Sequence, residues 1–370
     1  MKHYNIFITF LIVVLILTVF CFTFKTTSAS YYTVENSTVK DPYNNTVFSA
    51  SSDKEAVEYA LSCLTVNRSW IETIYLKGNL TLFNVEVPNC VEFTGDALIQ
   101  LPIGEQVIFT RYPSLENLQH ISFSGLTFRG NNDNDLAIDM YQVLNGNYLG
   151  VEHLTIQNCV FNNFYTATEL FLVSSLISSN TFNNCQFNIN VANDHGSTIS
   201  ANTFYLTGNN TTSYGIQIID SNSLKILGNT FTGQSGYTIG IVCDGQFIDS
   251  VISDNTFNGL SRVALSFGAV ERPSDYLIYN NIVSSNTFSD MPQGIALEIG
   301  FLHGVDSLNI YGNGFRNVGV VIRMNYGGLN VTCKNVVFHG NIASEITVLN
   351  VFYGDDMLIM KDNLVNGVWS

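Results

Sequence analysis

Val251-Ile-Ser-Asp-Asn-Thr-Phe257 is the stretch that decides the fold, because versions of it recur through most of the chain. Each copy has a few apolar or β-branched residues and ends in asparagine, and five copies continue with Thr-Phe. The recurring asparagines are Asn158, Asn180, Asn202, Asn229, Asn255, Asn286, Asn313, Asn341 and Asn363. They are separated by 22, 22, 27, 26, 31, 27, 28 and 22 residues. A fixed unit with variable additions indicates a stacked repeat that carries loops on one side.

The repeated unit is predicted to be a strand, because β-branched residues favour strands and asparagine favours turns. A second apolar run follows each turn, as in Tyr214-Gly-Ile-Gln-Ile218, and no copy has room for a crossover helix. Strand, turn, strand and loop in every copy predict an all-β chain, a parallel β-helix whose coils hydrogen-bond to each other. We expect each asparagine to adopt a left-handed backbone at a tight bend and to bond its equivalents in neighbouring coils. The phenylalanines should stack inside.

Residues 1–29 differ from the rest of the chain. Residues 6–24 form an uncharged apolar run between Lys2 and Lys25. Its length favours a single-pass membrane anchor over the shorter apolar part of a signal peptide, whereas Thr27-Ser-Ala29 is typical of a cleavage site. Both interpretations export everything after residue 29, so we expect an extracellular or cell-surface protein, anchored through residues 6–24 or secreted.

Composition narrows the function classes. The 370-residue chain has 15 basic and 30 acidic residues, for a net charge of −15, and no Lys/Arg cluster, which argues against nucleic acid as a partner. With 46% hydrophobic and 12% charged residues, it suits a continuous core rather than disorder. A solenoid grows in one dimension, so this length need not mean several domains. We expect a polar linker over 30–50, a cap helix and first coils over 51–100, and the β-helix over 101–370.

One amphipathic helix is predicted after the linker. Ser52 can cap its start, and Glu55 three places on completes a capping box. Apolar residues from Ala56 to Leu64 follow at helical spacing. Since the end of a β-helix exposes unpaired backbone and core side chains, this helix is expected to cover the N-terminal end.

Several segments carry a resemblance to a known family: the helix start Asp53-Lys-Glu-Ala56, the strands Ile74-Tyr-Leu-Lys-Gly78, Val85-Glu-Val-Pro-Asn89 and Val91-Glu-Phe-Thr-Gly95, and the Asn-Thr-Phe turns. Through them, residues 51–370 resemble the pectin-lyase-like superfamily. The resemblance implies a right-handed parallel β-helix. The superfamily includes polysaccharide lyases, polygalacturonases, phage tailspikes and surface proteins without known activity, so fold alone does not fix function.

No catalytic motif of that superfamily is carried over. Its polygalacturonase-like members use Asn-Thr-Asp, whereas the copies here read Asn-Thr-Phe. The one Asp-Asp pair, Asp355-Asp356, has no histidine after it. The catalytic residues are therefore unknown from sequence.

One loop concentrates carboxylates, with Asp133, Asp135 and Asp139 within seven residues. Ca²⁺ favours such oxygen-rich loops, although Leu136 stands where an EF-hand loop requires glycine. Paired carboxylates can also act as acid and base on a glycosidic bond. A plain solvated loop is the third interpretation. The longest insertion, around Ala269-Val-Glu-Arg-Pro-Ser-Asp275, is a second hypothetical binding loop.

Cysteines and sequons fit an exported chain. None of the six cysteines after residue 29 has Cys-x-x-Cys or metal-ligand spacing. Cys159–Cys185 and Cys63–Cys90 are the expected bridges if disulfides form, and small buried apolar residues are the alternative. If the host glycosylates exported chains, glycans would be carried by Asn36, Asn44, Asn67, Asn79, Asn209, Asn210 and Asn330.

Two hypotheses about function follow. The first is a non-catalytic surface or structural protein that binds a glycan or another surface. The second is a carbohydrate-active enzyme, a polysaccharide lyase or glycoside hydrolase, whose groove is built from carboxylates on separate coils. Acidic side chains converging on one face would favour the enzyme. The C-terminal Asn366-Gly-Val-Trp-Ser370 offers no cap, which predicts a partner chain or a homo-oligomer contact there.

Overall fold

The computed structural model describes residues 31–114, 116–144, 146–268, 278–300, 305–324, 333–352 and 358–369. These residues form a parallel β-helix with one helix, α1 (Asp53–Ser62), near its N-terminal end. The prediction of strands is confirmed, and within the described residues no helix connects one strand of a repeat to the next. The apolar run 6–24, the loop around residues 269–275 and the sequon asparagine Asn330 lie outside the described residues.

The strands are short and follow one another through the chain. The first are β1 (Tyr31–Glu35), β2 (Thr38–Lys40), β3 (Thr46–Ser49), β4 (Glu72–Lys77), β5 (Asn79–Thr81), β6 (Val85–Val87), β7 (Val91–Gly95), β8 (Leu98–Gln100), β9 (Val107–Arg111), β10 (Leu118–Gln119), β11 (Ile121–Ser124), β12 (Thr127–Arg129), β13 (Leu136–Met140), β14 (Gln142–Leu144), β15 (Asn147–Leu149) and β16 (Val151–Glu152). The next are β17 (Thr155–Gln157), β18 (Val160–Asn162), β19 (Thr166–Val173), β20 (Leu176–Ser178), β21 (Thr181–Asn183), β22 (Phe187–His195), β23 (Thr198–Ser200), β24 (Thr203–Asn222), β25 (Lys225–Leu227), β26 (Thr230–Cys243), β27 (Phe247–Ile248), β28 (Val251–Ser253), β29 (Thr256–Asn258) and β30 (Val263–Phe267). The last are β31 (Ile278–Ser284), β32 (Thr287–Ile299), β33 (Val305–Tyr311), β34 (Gly314–Met324), β35 (Cys333–Lys334), β36 (Val336–His339), β37 (Ile342–Ser344), β38 (Val348–Phe352), β39 (Leu358–Lys361), β40 (Leu364–Val365) and β41 (Val368–Trp369).

Each coil contributes to three parallel sheets. Sheet A holds the strands that precede each asparagine, such as β20, β23, β25 and β28. Sheet B holds the short strands that follow the asparagine, such as β18, β21 and the start of β24. Sheet C holds the second apolar run, in β6, β9, β13, β19, β22 and the end of β24. Antiparallel pairing is confined, among the described strands, to β1–β2, β2–β3, β14–β15 and β40–β41.

The core is a stack of phenylalanines from sheet B. The rings of Phe204 and Phe231 lie 4.6 Å apart at an interplanar angle of 4°. The same near-parallel stacking, at 4.8–5.0 Å, links Phe128, Phe161, Phe182 and Phe204, and then Phe231, Phe257, Phe288 and Phe315. Each such pair contributes roughly 0.5–1.5 kcal/mol beyond its buried area. The predicted aromatic stack is therefore present.

A ladder of side-chain amides runs beside the phenylalanines at the corner between sheets A and B. Asn229 accepts from Asn202 Nδ2 at 3.0 Å and from the backbone N–H of Asn202 at 2.9 Å. Its own Nδ2 donates to Asn255 Oδ1 at 3.0 Å and to the carbonyl oxygen of Ile199 at 2.9 Å. The pattern links Asn180, Asn202, Asn229, Asn255, Asn286, Asn313, Asn341 and Asn363. These amides are buried, and the ladder meets the need of buried polar groups for partners.

Two details of the predicted ladder are wrong. The left-handed backbone belongs to the residue before each asparagine, such as Ser179 (φ 57°) or Asp254 (φ 59°). Asn158 (φ 54°) is one of these left-handed residues and is exposed, so it stands one place before the column. Cys159 occupies the column in that coil and donates its backbone N–H to Asn180 Oδ1 at 2.9 Å. The tight bend is made by the residue before each ladder asparagine. The asparagine itself directs its amide along the stack.

A second polar column, which the sequence analysis missed, lies at the corner before sheet A. The backbone N–H of Ser175 donates to Ser197 Oγ at 3.0 Å, and that of Ser250 donates to Asn281 Oδ1 at 3.0 Å. All four residues are buried. The signal in the sequence is a serine or asparagine immediately before the apolar phrase.

Residues 31–50 are not the linker that their polar composition predicts. β1 pairs in parallel with β4 and so belongs to sheet A, and β2 and β3 continue from it. Val34 and Val39 are fully buried. One buried valine in each of these short strands is enough to join the core when a neighbouring coil supplies the other wall.

The predicted cap helix is formed. Ser52 Oγ accepts the N–H of Glu55 at 3.2 Å, and the Glu55 carboxylate accepts from the backbone N–H of Ser51 at 2.7 Å, one residue earlier than a capping box requires. Ala56, Val57 and Ala60 are buried. The helix packs against β1, β2 and β3 and so covers the N-terminal coil.

The expected disulfides are corrected by the structure, in which Cys63, Cys90, Cys159, Cys185 and Cys243 are free. Cys159 lies at the corner between sheets A and B, with Sγ 3.3 Å from the carbonyl oxygen of Gln157. Cys185 lies after sheet B, so the adjacent coils place these thiols at different corners. Burial raises the pKa of both thiols to about 12. They act as small buried apolar side chains, which was the alternative interpretation.

Candidate functional site

A row of polar side chains crosses the outer face of sheet C. Successive register pairs join Glu86 to Thr110, Thr110 to Asp139, Asp139 to Glu169, Glu169 to Asn190 and Asn190 to Gln217. We call these six residues the polar row. Neighbouring strands lie about 4.8 Å apart, so each member sits directly beside the next along the solenoid axis.

The side chains of the row face outward because strands alternate their side chains between faces. Ile138 and Met140, on either side of Asp139, are fully buried, as is Leu170 after Glu169. Asp139 and Glu169 themselves are half-buried. Each carboxylate thus interrupts an apolar strand and is held at the surface by neighbours that are buried in the core.

Asp139 has an unusual electrostatic setting. Burial, with a smaller contribution from the charge of Glu169, raises its pKa to about 6, although Tyr141 donates its backbone N–H to Asp139 Oδ1 at 3.1 Å. Burial also raises the pKa of Glu169. Carboxyl groups with raised pKa values on adjacent coils are typical of sites that carry out acid–base chemistry.

Amides continue the row beyond the carboxylates. Asn190 Oδ1 is buried and finds no hydrogen-bond partner among the residues that the structure describes. The next member, Gln217, donates its Nε2 to Asp244 Oδ2 at 2.9 Å. Amide groups both donate and accept, so this half of the row can bind hydroxyl groups of a ligand.

Aromatic rings flank the row on both sides. Beyond Asp139, the rings of Tyr141 and Tyr148 lie 6.2 Å apart at the hairpin β14–β15. On the opposite side, the half-buried rings of Tyr165 and Phe187 lie 5.5 Å apart, and those of Phe187 and Tyr214 stack at 5.0 Å. With carboxylates between these rings, the outer face of sheet C can offer a ligand both polar contacts and stacking contacts.

Towards the C-terminus, the residues that continue the polar row are mostly buried and not open to a ligand. Register pairs carry it from Gln217 through Val242 and Ser266 to Glu298 and Arg323. Glu298 is 7% exposed and forms an ion pair with Arg323. Its charge is therefore compensated, and the open part of the row ends near Gln217.

A pocket of about 610 Å³ opens at the N-terminal end of the row. Helix α1 forms one wall and the first coils form the other. It is lined by Lys54, Glu58, Leu61, Ser62, Asn84, Glu86, Pro88 and Tyr112. Glu86 belongs to both features, so the pocket and the polar row form one continuous surface.

The three carboxylates suggested as a Ca²⁺ site do not converge. Asp133 is exposed, and Asp139 lies on β13 in the polar row. Asp135 is 1% exposed and accepts backbone N–H groups from Asn131 and, at 2.6 Å, from Tyr165. Among the described residues no group of three or more His, Cys, Asp or Glu side chains is arranged to hold a metal ion. Asp135 stabilises a turn instead.

Glu169, the partner of Asp139, was missed by sequence reasoning. It lies 30 residues further on, inside the apolar strand β19, and repeat length alone does not show which residues share a face. The available signal was a single carboxylate in each of two consecutive apolar runs, Ala137-Ile-Asp-Met140 and Thr168-Glu-Leu-Phe171. A charge within a buried strand is costly unless it faces outward or has a function.

The other predicted surface features have defined positions. The sequon residues Asn36, Asn44, Asn67 and Asn79 are exposed, and Asn209 and Asn210 lie in β24. In the part of the chain described here, no helix has the length and apolar character needed to cross a membrane.

Comparisons with known proteins bear on the fold. The family described as right handed beta helix region matches residues 114–271. No curated protein sequence matches the chain. The tailspike protein of E. coli bacteriophage HK620, solved in complex with a pentasaccharide, is 13% identical with a TM-score of 0.65, over 90% of this chain and 67% of the tailspike.

Two epimerases have the same architecture. The A-module of the mannuronan C-5 epimerase AlgE6 of Azotobacter vinelandii is 13% identical with a TM-score of 0.57, over 85% of this chain and 96% of the module. A mutant of the periplasmic alginate epimerase AlgG is 10% identical with a TM-score of 0.58, over 80% of this chain and 75% of that one. The chain is a right-handed parallel β-helix, which confirms the fold that the resemblance to the pectin-lyase-like superfamily implies.

Proposed function

We propose that the polar row binds a neutral glycan and that Asp139 and Glu169 hydrolyse a glycosidic bond in it. The observation that carries this proposal is the pair of half-buried carboxyl groups with raised pKa values, in register on adjacent coils. This arrangement matches the second sequence hypothesis, in which the carboxylates come from separate coils.

The two carboxyl groups would have different roles. A pKa of about 6 keeps Asp139 protonated in mildly acidic solution, as a general acid requires. The Glu169 carboxylate would attack the anomeric carbon while Asp139 gives its proton to the departing glycosidic oxygen, so that the glycosidic bond breaks as a glycosyl–Glu169 ester forms. Asp139, now ionised, would take a proton from a water molecule that hydrolyses this ester, which restores both carboxyl groups. The backbones of facing residues on adjacent strands are about 4.8 Å apart. Carboxyl groups carried by such neighbours fit the ~5–5.5 Å separation of retaining pairs better than the ~6.5–9.5 Å of inverting pairs. Retention of the anomeric configuration is the expected outcome.

Charge favours a neutral substrate. The six residues of the polar row include three carboxylates and no cation, and the chain carries a net charge of −15. An anionic polymer would be repelled from this face. The similarity in fold to a tailspike solved with a pentasaccharide supports a glycan as the ligand, without identifying the sugar.

The proposal includes an extracellular or cell-surface location. The apolar run 6–24 would direct export and either remain as a single-pass anchor or be removed after Ala29. The exposed sequon residues Asn36, Asn44, Asn67 and Asn79 are compatible with glycosylation after export. Mass spectrometry of the mature N-terminus distinguishes anchoring from cleavage. Sedimentation tests the expected homo-oligomer, and a stable monomer would contradict it.

The test uses the full chain and a polysaccharide panel. Cellulose, chitin, xylan, mannan and β-1,3-glucan are the neutral members, and alginate and polygalacturonate are the anionic ones. New reducing ends from a neutral member are expected. Asp139→Asn and Glu169→Gln should each lower the rate about 10²–10⁴-fold, whereas the exposed Asp133→Asn is the matched control. Full turnover in the double variant, or unsaturated products from an anionic member, would overturn the proposal.

Binding without cleavage is the second candidate function. It is favoured by the amide half of the row, where Asn190 Oδ1 has no partner among the described residues and Gln217 is held by Asp244. These groups can hold sugar hydroxyls without any chemistry. Tight binding of a panel member with no new reducing ends, unchanged in Glu169→Gln and weakened in Asn190→Ala, would establish this alternative.

A further inference from the structure

We infer that the pocket beside helix α1 binds a second part of the same glycan, so that the substrate lies parallel to the solenoid axis. We call this pocket the cap pocket and define it by Lys54, Glu58, Asn84, Glu86 and Tyr112. The inference rests on the proposed function of the polar row. It adds a distant binding subsite and an orientation of the substrate, neither of which follows from the carboxylate pair.

Register connects the two sites directly. Glu86 lines the cap pocket and is the first residue of the polar row. Thr110 separates it from Asp139, so the pocket lies two strand spacings, about 10 Å, from the acid. The half-buried Thr110 has a short side chain and leaves the path between them open. A linear ligand can therefore contact both sites at once.

The chemistry of the cap pocket suits an uncharged sugar unit. Tyr112 is 51% exposed and offers the face of its ring for stacking. Asn84 and Glu86 provide groups for hydrogen bonds with hydroxyls. The Nζ of Lys54 lies 3.5 Å from Glu58 and 4.7 Å above the ring of Phe83, so its charge is already compensated. An anionic sugar would instead meet the carboxylate of Glu86.

The position of the pocket predicts a dependence on substrate length. A short oligosaccharide that reaches Asp139 and Glu169 cannot also fill the cap pocket. A longer one gains the contacts of Tyr112 and should bind more tightly. Variants of Tyr112 should therefore affect long oligosaccharides and leave short ones unchanged.

The experiment measures binding apart from catalysis. Oligosaccharides of two to eight units, derived from the panel polysaccharide that the wild type cleaves or binds, are titrated calorimetrically into the full-length Asp139→Asn/Glu169→Gln protein. Adding Tyr112→Ala should weaken binding of the longest members about tenfold and leave the shortest unchanged. Adding Tyr112→Phe instead should retain the affinity of the parent double variant, because the ring face is kept. Tyr237→Ala is the matched control, because Tyr237 is 64% exposed and lies away from both sites.

Each outcome is decisive. Affinity that is unchanged by Tyr112→Ala, or lowered equally for short and long members, overturns the cap pocket, and continued cleavage by the wild type then leaves the proposed function intact. No binding or cleavage of any panel member overturns both. Equal thermal unfolding midpoints for Tyr112→Ala and its parent verify that a loss of affinity is not a loss of folding.

Discussion

The backbone N–H of Cys159 donates to Oδ1 of Asn180 at 2.9 Å, so a cysteine holds in one coil the position that asparagine holds in the next. From Asn180 to Asn363 the amides form a continuous ladder. Cys159 therefore marks its N-terminal end, and the thiol offers neither the strong donor nor the strong acceptor of an amide.

Replacing this cysteine should lengthen the ladder. In Cys159→Asn, the new Nδ2 is expected to donate to Asn180 Oδ1, as Asn180 does to Asn202. We expect a gain of about 1 kcal/mol in the free energy of unfolding, measured by chemical denaturation. Cys185→Asn is the control, because this buried site lies outside the ladder and should lose stability. A less stable Cys159→Asn protein would contradict the expectation.

Removing an amide from the middle of the ladder should be costly. Asn229→Ala leaves both the backbone N–H and the side-chain Nδ2 of Asn202 without their shared acceptor. Two unsatisfied buried donors predict a loss of about 2–4 kcal/mol. The exposed Asn222→Ala is the matched control and should change stability little. A loss below about 1 kcal/mol in Asn229→Ala would show that water replaces the amide.

Sheet C approaches the phenylalanine stack closely at Gly215. A Cβ there would lie 2.5 Å from the carbonyl oxygen of Gly240 and 2.7 Å from the ring of Phe231. Gly215→Ala should therefore destabilise the fold by about 1–3 kcal/mol, the usual cost of overpacking. Gly314→Ala is the control, since a Cβ there meets nothing within 4 Å. Thermal unfolding compares the two, and equal midpoints would contradict the prediction.

The raised pKa of Asp139 predicts a specific pH dependence of stability. The folded chain holds this proton up to about pH 6, whereas an unfolded chain releases it near the ordinary value of 3.8. The resulting stabilisation is present below about pH 4 and is lost as the pH rises through about 6. We expect roughly 1–3 kcal/mol of this dependence to disappear in Asp139→Asn, with denaturation measured at several pH values.

Asp133→Asn should keep the wild-type dependence, because Asp133 is exposed. The same titration governs the proposed activity. Cleavage should decline as the pH rises above about 6, because Asp139 then loses the proton that it donates. A rate that increases across this range would contradict the role of Asp139 as the acid.

The buried thiols should resist modification. Burial raises the pKa of Cys159 and Cys185 to about 12, so both remain protonated at neutral pH. Iodoacetamide should alkylate them in denaturant and leave them unmodified in the folded protein, as read by peptide mass spectrometry. The half-buried Cys63 is the internal comparison and should react faster. A disulfide-linked pair of Cys159 and Cys185 peptides in the unreduced digest would contradict the free thiols.

The stacking of coils is predictable from the sequence because one residue type returns at one structural position. The phenylalanines show this, and they also show how the ladder was misaligned. Phe182 lies two residues after Asn180, and Phe161 lies two residues after Cys159 rather than after Asn158. Alignment on the phenylalanine would have placed Cys159 in the column. The asparagine letter alone was misleading because asparagine also favours the left-handed residue just before it.

The candidate site was less predictable, for a reason set by topology. Asp139 was identified by its proximity to Asp133 and Asp135, and the structure separates these carboxylates. Its actual neighbour, Glu169, comes from the next coil across a loop whose length varies from copy to copy. Strand pairing over such distances depends on register, which sequence periodicity does not specify. The same limit explains why β1, paired with β4 about 40 residues later, was assigned to a linker.

The asparagine ladder affects how many coils the solenoid can have. Each ladder asparagine donates to the asparagine of the next coil through the same hydrogen bond, so every coil offers the following coil an identical surface to pack on. Whole coils can then be gained or lost during evolution without redesigning the joint between them. The length of the solenoid, and with it the reach of any surface along its side, becomes an adjustable property.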